Sequence, residues 1–129
     1  MTAASIEPPT TDLVSVTVSG TGPVVRVIAT GEVDSTSAPV LRQHLETLLD
    51  GDVRELTVDL GQVTFLDSAG LCVLAAAHRR AVRKDVTMRV LASSRAVIRP
   101  LQITGLWELL HVEQVDGTAA VLTVQQGVA

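Results

Sequence analysis

The sequence predicts a single α/β domain with a mixed, mostly parallel β-sheet, an N-terminal β-hairpin and helices packed against the sheet. The 129 residues are the usual length of one domain. Short β-branched stretches alternate with helical stripes, which favours parallel strand pairs joined by right-handed crossovers. Apolar residues make up 47% of the chain but aromatic residues only 2%, so the predicted core is aliphatic.

The predicted hairpin opens the domain. Apolar residues alternate over 13–18, and a second β-branched stretch covers 24–29 after the turn residues Gly20 and Gly22. The segment before the hairpin is rich in Thr, Ala and Pro and lacks the apolar run of a signal peptide. We therefore expect a disordered tail over residues 1–11 and a domain over residues 12–126.

A stripe of leucines with helical spacing predicts the first helix. Ser37 is its expected N-cap, Pro39 falls in the first turn, and Gly51 stops it. A short strand follows over 55–60. Gly61 and Gln62 are expected to interrupt that strand before apolar character resumes over residues 63–66.

The rest of the chain continues the alternation. The expected elements are a helix over 69–83, a strand over 86–91, a helix from Ser93 or Ser94 to Thr104 with Pro100 inside it, a turn over 106–110 and a weak strand over 112–115. The last segment, 118–126, is equally compatible with a helix and a strand.

Composition argues against several function classes. The net charge of −4 has the wrong sign for a nucleic-acid or anionic-membrane binder. The longest run of small or apolar residues, 69–77, falls far short of the ~20 residues that cross a bilayer. The single Cys72 forms no internal disulfide, and its apolar surroundings predict a small buried side chain. We expect a cytoplasmic protein.

Two loops are candidates for function, because functional groups collect at the carboxyl ends of the strands in such sheets. The first loop covers residues 31–36 and the second covers residues 65–70. If the strands before them are parallel neighbours, both loops lie at the same edge.

Ser68 in the second loop has two interpretations. It stands at the start of a helix, where a Ser or Asp side chain commonly caps a free backbone N–H, so Asp67 and Ser68 could serve only as a cap. Alternatively, Ser68 is a phosphoacceptor. Its phosphate would lie at a helix N-terminus and add about −1.5 to −2 charges beside Asp67 and Asp34.

Catalysis by Ser68 is not expected. The sequence around it lacks the first glycine of a G-x-S-x-G elbow, and no acid–histidine pair accompanies it. The three histidines, His44, His78 and His111, show no metal-ligand spacing. We expect no enzyme activity, no metal and no cofactor.

The two loops together resemble the STAS domain, and specifically the stand-alone anti-sigma-factor antagonists of bacterial partner-switching systems. The segments that carry the resemblance are Gly31-Glu32-Val33-Asp34 before a helix, and Asp67-Ser68-Ala69-Gly70-Leu71 after a Val/Phe-rich strand. The resemblance covers roughly residues 12–110.

The resemblance implies a mechanism and a set of contact residues. Ser68 would be phosphorylated by a serine kinase that is itself the anti-sigma factor, and a serine phosphatase would reset it. The unphosphorylated chain would bind the anti-sigma factor and free a sigma factor. The expected contact residues are Glu32, Asp34, Ser35, Thr36, Thr64, Asp67, Ser68, Ala69, Gly70 and Leu71.

Two further expectations accompany this mechanism. The chain would act as a monomer or weak dimer, without direct contact to nucleic acid and without insertion into a membrane. The alternative function is a non-phosphorylated STAS subunit of a lipid-transport or signalling complex.

Overall fold

The computed structural model describes residues 13–116, which form five strands and four helices. The predicted tail over 1–11, the predicted domain limits at 12 and 126 and the ambiguous segment 118–126 lie outside these residues. The elements in chain order are β1 (Val14–Ser19), β2 (Val24–Val33), α1 (Ala38–Leu49), β3 (Glu55–Leu66), α2 (Ser68–Arg83), β4 (Thr87–Ala92), α3 (Arg95–Ile103), α4 (Leu106–Leu109) and β5 (Val112–Gln114).

The sheet has the predicted mixed topology, with the strands in the order β1-β2-β3-β4-β5. The β1–β2 pair is the antiparallel hairpin, and every other neighbouring pair is parallel. α1 and α2 pack against each other and against the sheet, and α3 packs against β3. The α/β prediction with an N-terminal hairpin is therefore confirmed.

Rows of aliphatic side chains across the sheet form the core. Val27, Val58 and Val90 are paired across β2, β3 and β4, and all three are fully buried. Because side chains alternate along a strand, the neighbouring row of Val25, Leu56 and Met88 lies on the same face and is also buried. α1 and α2 bring their own buried leucines onto this aliphatic layer.

The predicted interruption at Gly61 and Gln62 is wrong, because β3 runs without a break to Leu66. The irregularity lies instead in the register of the pairing between β2 and β3. β2 advances five residues from Ile28 to Val33 while β3 advances seven from Asp59 to Leu66. β3 therefore contains two bulges, one near Gly61 and one at Thr64, each of which adds an unpaired residue.

Asp59 holds the first of these bulges in place. One carboxylate oxygen accepts a hydrogen bond from the backbone N–H of Gly61 at 2.8 Å, and the other pairs with Nη2 of Arg26 at 2.6 Å. Asp59 is only 6% exposed, and a buried carboxylate is stable only when it is paired and hydrogen-bonded. The bulge and the ion pair therefore stabilise each other.

The buried stripe of α2 explains why the prediction for Cys72 was wrong. The buried residues of this helix are Gly70, Val73, Leu74, Ala77 and Ala81, which follow the helical period. Cys72 falls outside the stripe and is exposed.

Gly31 lies where the hairpin meets the first functional loop and has a φ of +113°. A Cβ at this position would overlap the carbonyl oxygen of Leu13. That carbonyl accepts the hydrogen bond from the N–H of Glu32 at 2.7 Å, so it cannot move away without a cost. Only glycine fits both the backbone conformation and the available space.

Replacing Gly31 tests this constraint on the edge of the hairpin. We expect Gly31→Ala to lower the free energy of unfolding by about 2–4 kcal/mol, because backbone strain and overlap with the Leu13 carbonyl add. The matched control is Gly22→Ala, where φ is also positive but no atom lies within 4 Å of the added Cβ. It should cost only about 1 kcal/mol. Urea denaturation measures both values, and equal losses would contradict this account.

Candidate functional site

The two functional loops lie at one edge of the sheet, as predicted. Val33 and Leu66, the last residues of β2 and β3, are paired partners in parallel strands. The N–H of Asp67 donates to the carbonyl of Val33 at 3.1 Å, so the start of the second loop is tied to the end of the first strand.

Asp67 is the N-cap of α2. Its Oδ1 accepts hydrogen bonds from the N–H of Ala69 at 2.9 Å and of Gly70 at 3.3 Å. These N–H groups belong to the first helical turn, which has no carbonyl of its own to bond. A carboxylate also interacts favourably with the positive end of the helix dipole. The capping function that the sequence left open between Asp67 and Ser68 belongs to Asp67.

Ser68 is the first residue of α2 and is exposed. Within residues 13–116, its hydroxyl makes no hydrogen bond. The helix therefore does not use the Ser68 side chain, and its hydroxyl is accessible to another molecule.

Gly70 allows α2 to approach the sheet closely. It is buried, and a Cβ there would overlap Cδ1 of Leu66 and come within 3.0 Å of Cγ1 of Val33. Both of these side chains belong to the core. The glycine thus fixes how far the N-terminus of α2, and with it Ser68, stands from the ends of β2 and β3.

The first loop is held by Asp34 and Ser37. Oδ1 of Asp34 accepts hydrogen bonds from the N–H of Thr36 at 2.9 Å and of Ser37 at 3.0 Å. The hydroxyl of Ser37 donates to the carbonyl of Glu32 at 2.7 Å and accepts from the N–H of Asp34 at 2.9 Å. Ser37 occupies the N-cap position of α1, but its fully buried side chain closes the loop instead of capping the helix.

These contacts change the acidity of Asp34. Hydrogen bonds to its carboxylate, above all that from the backbone N–H of Ser37, hold its pKa below the ordinary value of 3.8. The charged form of Asp34 is thereby favoured in the folded state.

The remaining predicted contact residues differ in exposure. Glu32, Ser35, Thr36 and Thr64 are exposed, whereas Ala69 and Leu71 are half-buried and Leu71 packs on the core. Thr64 also donates from its hydroxyl to the carbonyl of Gly31 at 3.3 Å. Sequence reasoning missed two residues here: the buried Ser37, whose loop contacts were not foreseen, and the exposed Phe65 beside Thr64.

The histidines lie on other parts of the fold. His44 is in the middle of α1, with Nδ1 2.9 Å from the carbonyl of Val40. His78 comes nearly three helical turns after Ser68, and partial burial, followed by the charges of His111 and Arg79, lowers its pKa. In the part of the chain that the structure describes, no group of three His, Cys, Asp or Glu side chains is arranged to hold a metal ion.

Comparison with known proteins agrees with this architecture. A family model described as "Mlab, STAS domain" matches residues 16–113, which include both loops. The crystal structure of an anti-sigma factor antagonist from Mycobacterium paratuberculosis is 31% identical, with a TM-score of 0.73, and the match covers 84% of this chain and 93% of that one. An anti-sigma-B factor antagonist of Staphylococcus aureus is 30% identical over 84 residues, covering 65% of this chain and 78% of that protein.

The chain belongs to the STAS-domain family of anti-sigma factor antagonists. Its fold is also similar to SpoIIAA in the unphosphorylated form, with a TM-score of 0.69, 19% identity and coverage of 87% of this chain and 97% of that one. The phosphorylated form of the Bacillus cell fate determinant SpoIIAA matches with a TM-score of 0.64. Among residues 13–116 of this STAS domain, no helix is long and apolar enough to span a membrane.

The structural role of Asp67 is separable from that of Ser68. Asp67→Ala removes the N-cap and should cost about 1 kcal/mol of stability, while Asp67→Asn should keep most of it. Ser68→Ala removes a hydroxyl that α2 does not use, so its free energy of unfolding should stay within about 0.5 kcal/mol of the wild type. Urea denaturation of the three variants tests this assignment, which a larger loss in Ser68→Ala than in Asp67→Ala would overturn.

Ser37→Ala should loosen the first loop and change the titration of Asp34. We expect a loss of about 1–3 kcal/mol, because the N–H of Asp34 and the carbonyl of Glu32 lose their partner. The pKa of Asp34 should rise slightly towards its ordinary value, because the Ser37 hydroxyl, 3.2 Å from Oδ1 of Asp34, is lost while the main donor, the backbone N–H of Ser37, remains.

NMR titration of the Asp34 carboxyl group measures this change in pKa. Since the folded-state pKa is the lower one, the stability contributed by this carboxylate is complete above the ordinary value of 3.8 and is lost as the pH falls through the lowered value. The control is Ser35→Ala, which removes an exposed hydroxyl from the same loop. A fall in the pKa of Asp34 in Ser37→Ala, or a loss of stability no larger than that of Ser35→Ala, would refute the account.

Proposed function

We propose that this STAS domain is an anti-sigma factor antagonist that works by partner switching, controlled by phosphorylation of Ser68. In the unphosphorylated state it binds an anti-sigma factor and releases the sigma factor. The observation that carries the proposal is the exposed hydroxyl of Ser68, which makes no hydrogen bond within residues 13–116 and lies beside a helix cap that Asp67 already supplies. The fold of these residues therefore does not depend on the Ser68 hydroxyl.

The two loop segments around Ser68 supply no cation to neutralise an added phosphate. The side chain of Asp67 already bonds the N–H groups of Ala69 and Gly70, so these donors are not free for phosphate oxygens. Residues 31–37 and 64–71 contain three carboxylates and no basic residue. A phosphate of about −1.5 to −2 charges would therefore add to an acidic surface.

The size of the required effect is modest. A hundredfold change in affinity corresponds to about 2.7 kcal/mol. A dianion introduced into a packed interface loses its hydration, displaces a contact made by a neutral hydroxyl and is repelled by the nearby carboxylates. A single modified side chain is sufficient for such a switch.

The partners follow from the same proposal. The anti-sigma factor would be the serine kinase that modifies Ser68, and a serine phosphatase would restore the hydroxyl. The proposed contact surface consists of the exposed residues of the two loops, with Asp34 and Asp67 fixing its shape. The chain itself would perform no reaction and would act in the cytoplasm beside its partners.

The matching family model is described as "Mlab, STAS domain", a description that does not mention anti-sigma factors. We therefore retain a second candidate function. In that case the chain is a STAS subunit of a lipid-transport or signalling complex and is not phosphorylated. Stable copurification with a permease complex, without phosphate on Ser68, would favour this second function.

Phosphorylation distinguishes the two functions. We expect incubation of the full chain with ATP and each purified serine-kinase anti-sigma factor of its organism to add one phosphoryl group, detected by intact mass and located at Ser68 by peptide mapping. Ser68→Ala should accept none, and the control Ser35→Ala, which lacks an exposed hydroxyl of the neighbouring loop, should be modified normally.

Binding to the same kinase completes the test. Ser68→Ala should bind with the affinity of the unmodified chain, whereas the phosphorylated chain should bind about a hundredfold more weakly. Ser68→Asp should fall between them, because it carries less charge than a phosphate. Equal affinity for all of these forms in calorimetry would rule out the switch.

A further inference from the structure

Phe65 is the only phenylalanine of the chain, and it is 45% exposed. Large aromatic side chains contribute strongly to cores, and this core is short of aromatic residues. Leaving the one Phe half outside the core therefore needs an explanation. It lies three residues before Ser68, at the edge that carries both functional loops.

The second bulge of β3 turns Phe65 outward. Val63 is buried, and with regular alternation the next inward side chain would be Phe65. The unpaired residue at Thr64 reverses the alternation, so that Leu66 faces the core opposite Val33. Bulges of this kind commonly redirect a side chain next to a functional site.

The same bulge brings Phe65 beside an acidic residue. Phe65 is paired with Glu32 on the neighbouring strand, and both are exposed. Paired residues of neighbouring strands stand about 5 Å apart and point to the same face. Phe65 and Glu32 thus form one surface, the Phe65–Glu32 patch, that combines an apolar ring with a carboxylate.

We infer that the Phe65–Glu32 patch is the contact point that holds the anti-sigma factor, and that it fits an apolar pocket with a basic side chain at its rim. This inference rests on the proposed function and extends it to a residue that sequence reasoning left out. An aromatic side chain that becomes fully buried on binding is a typical energetic centre of an interface. The charge of Glu32 favours a cation opposite it, and an arginine would also stack on the ring of Phe65.

The two residues of the patch act on different rate constants. Burial of the Phe65 ring opposes dissociation, so its loss should raise the dissociation rate. Glu32 attracts a basic partner surface over a distance, so its loss should lower the association rate and reduce its dependence on salt. Ser68, three residues away, supplies the modification that ends the contact.

The experiment uses the full chain and, as the probe, the purified serine kinase that phosphorylates the wild-type chain. Phe65→Ala should weaken binding about 30-fold, mainly through faster dissociation, and should lower the rate of Ser68 phosphorylation at limiting kinase. Phe65→Leu should recover part of the affinity. Glu32→Gln should slow association at low salt. The matched control is Ile103→Ala. It shortens an apolar side chain of α3 that is 76% exposed, and this variant should bind the kinase like the wild type.

The outcomes separate this inference from the proposed function. Kinase binding and phosphorylation of Phe65→Ala at wild-type levels would overturn the inference alone. A wild-type chain that no kinase modifies would overturn the proposed function and the inference together.

Urea denaturation tests whether the chain's own residues cover the ring of Phe65. Phe65→Ala should destabilise the free chain far less than Leu66→Ala, and an equal loss would overturn the inference.

Discussion

The pairing of β2 with the longer β3 determines how the sheet edge that carries both loops is built. Seven residue steps of β3 match five of β2, so β3 must contain two bulges. The first is stabilised by Asp59, which bonds Gly61 and Arg26, and it restores Val63 to the buried face. The second turns Thr64 and Phe65 outward and places Leu66 in the core, directly before α2 begins.

In each of the two loops, side chains that are buried or half-buried hold the backbone. In the second loop, the carboxylate of Asp67 caps α2, and the hydroxyl of Ser68 makes no hydrogen bond to the described part of the chain. In the first loop, the buried hydroxyl of Ser37 closes the turn, while Asp34 keeps a charged carboxylate with a lowered pKa. The Ser68 hydroxyl is therefore not needed to hold either loop.

Much of this arrangement follows from sequence patterns that are local. Alternation predicts the hairpin, helical spacing predicts α1 and α2, and the order of elements predicts that both loops share one edge. The continuity of β3 through Gly61 was not predictable in this way, because a bulge is a property of the pairing of two strands. The same limit applies to Phe65, whose direction depends on the bulge at Thr64. Cys72 was misjudged because α2 is rich in small and apolar residues on both sides of its buried stripe.

The proposed switch at Ser68 would act through the surface and would not require a change of fold. Gly70 packs against Leu66 and Val33 without space for a Cβ, and Asp67 is bonded to both the helix and β2, so the start of α2 has little freedom to move. A phosphate there would find the N–H groups of Ala69 and Gly70 already bonded to Asp67, and the segments 31–37 and 64–71 contain no basic residue. The charge of the phosphate would therefore act directly on a partner that binds this edge. The proposed switch therefore needs no second conformation, because the same surface would bind a partner when Ser68 is neutral and repel it when Ser68 carries a phosphate.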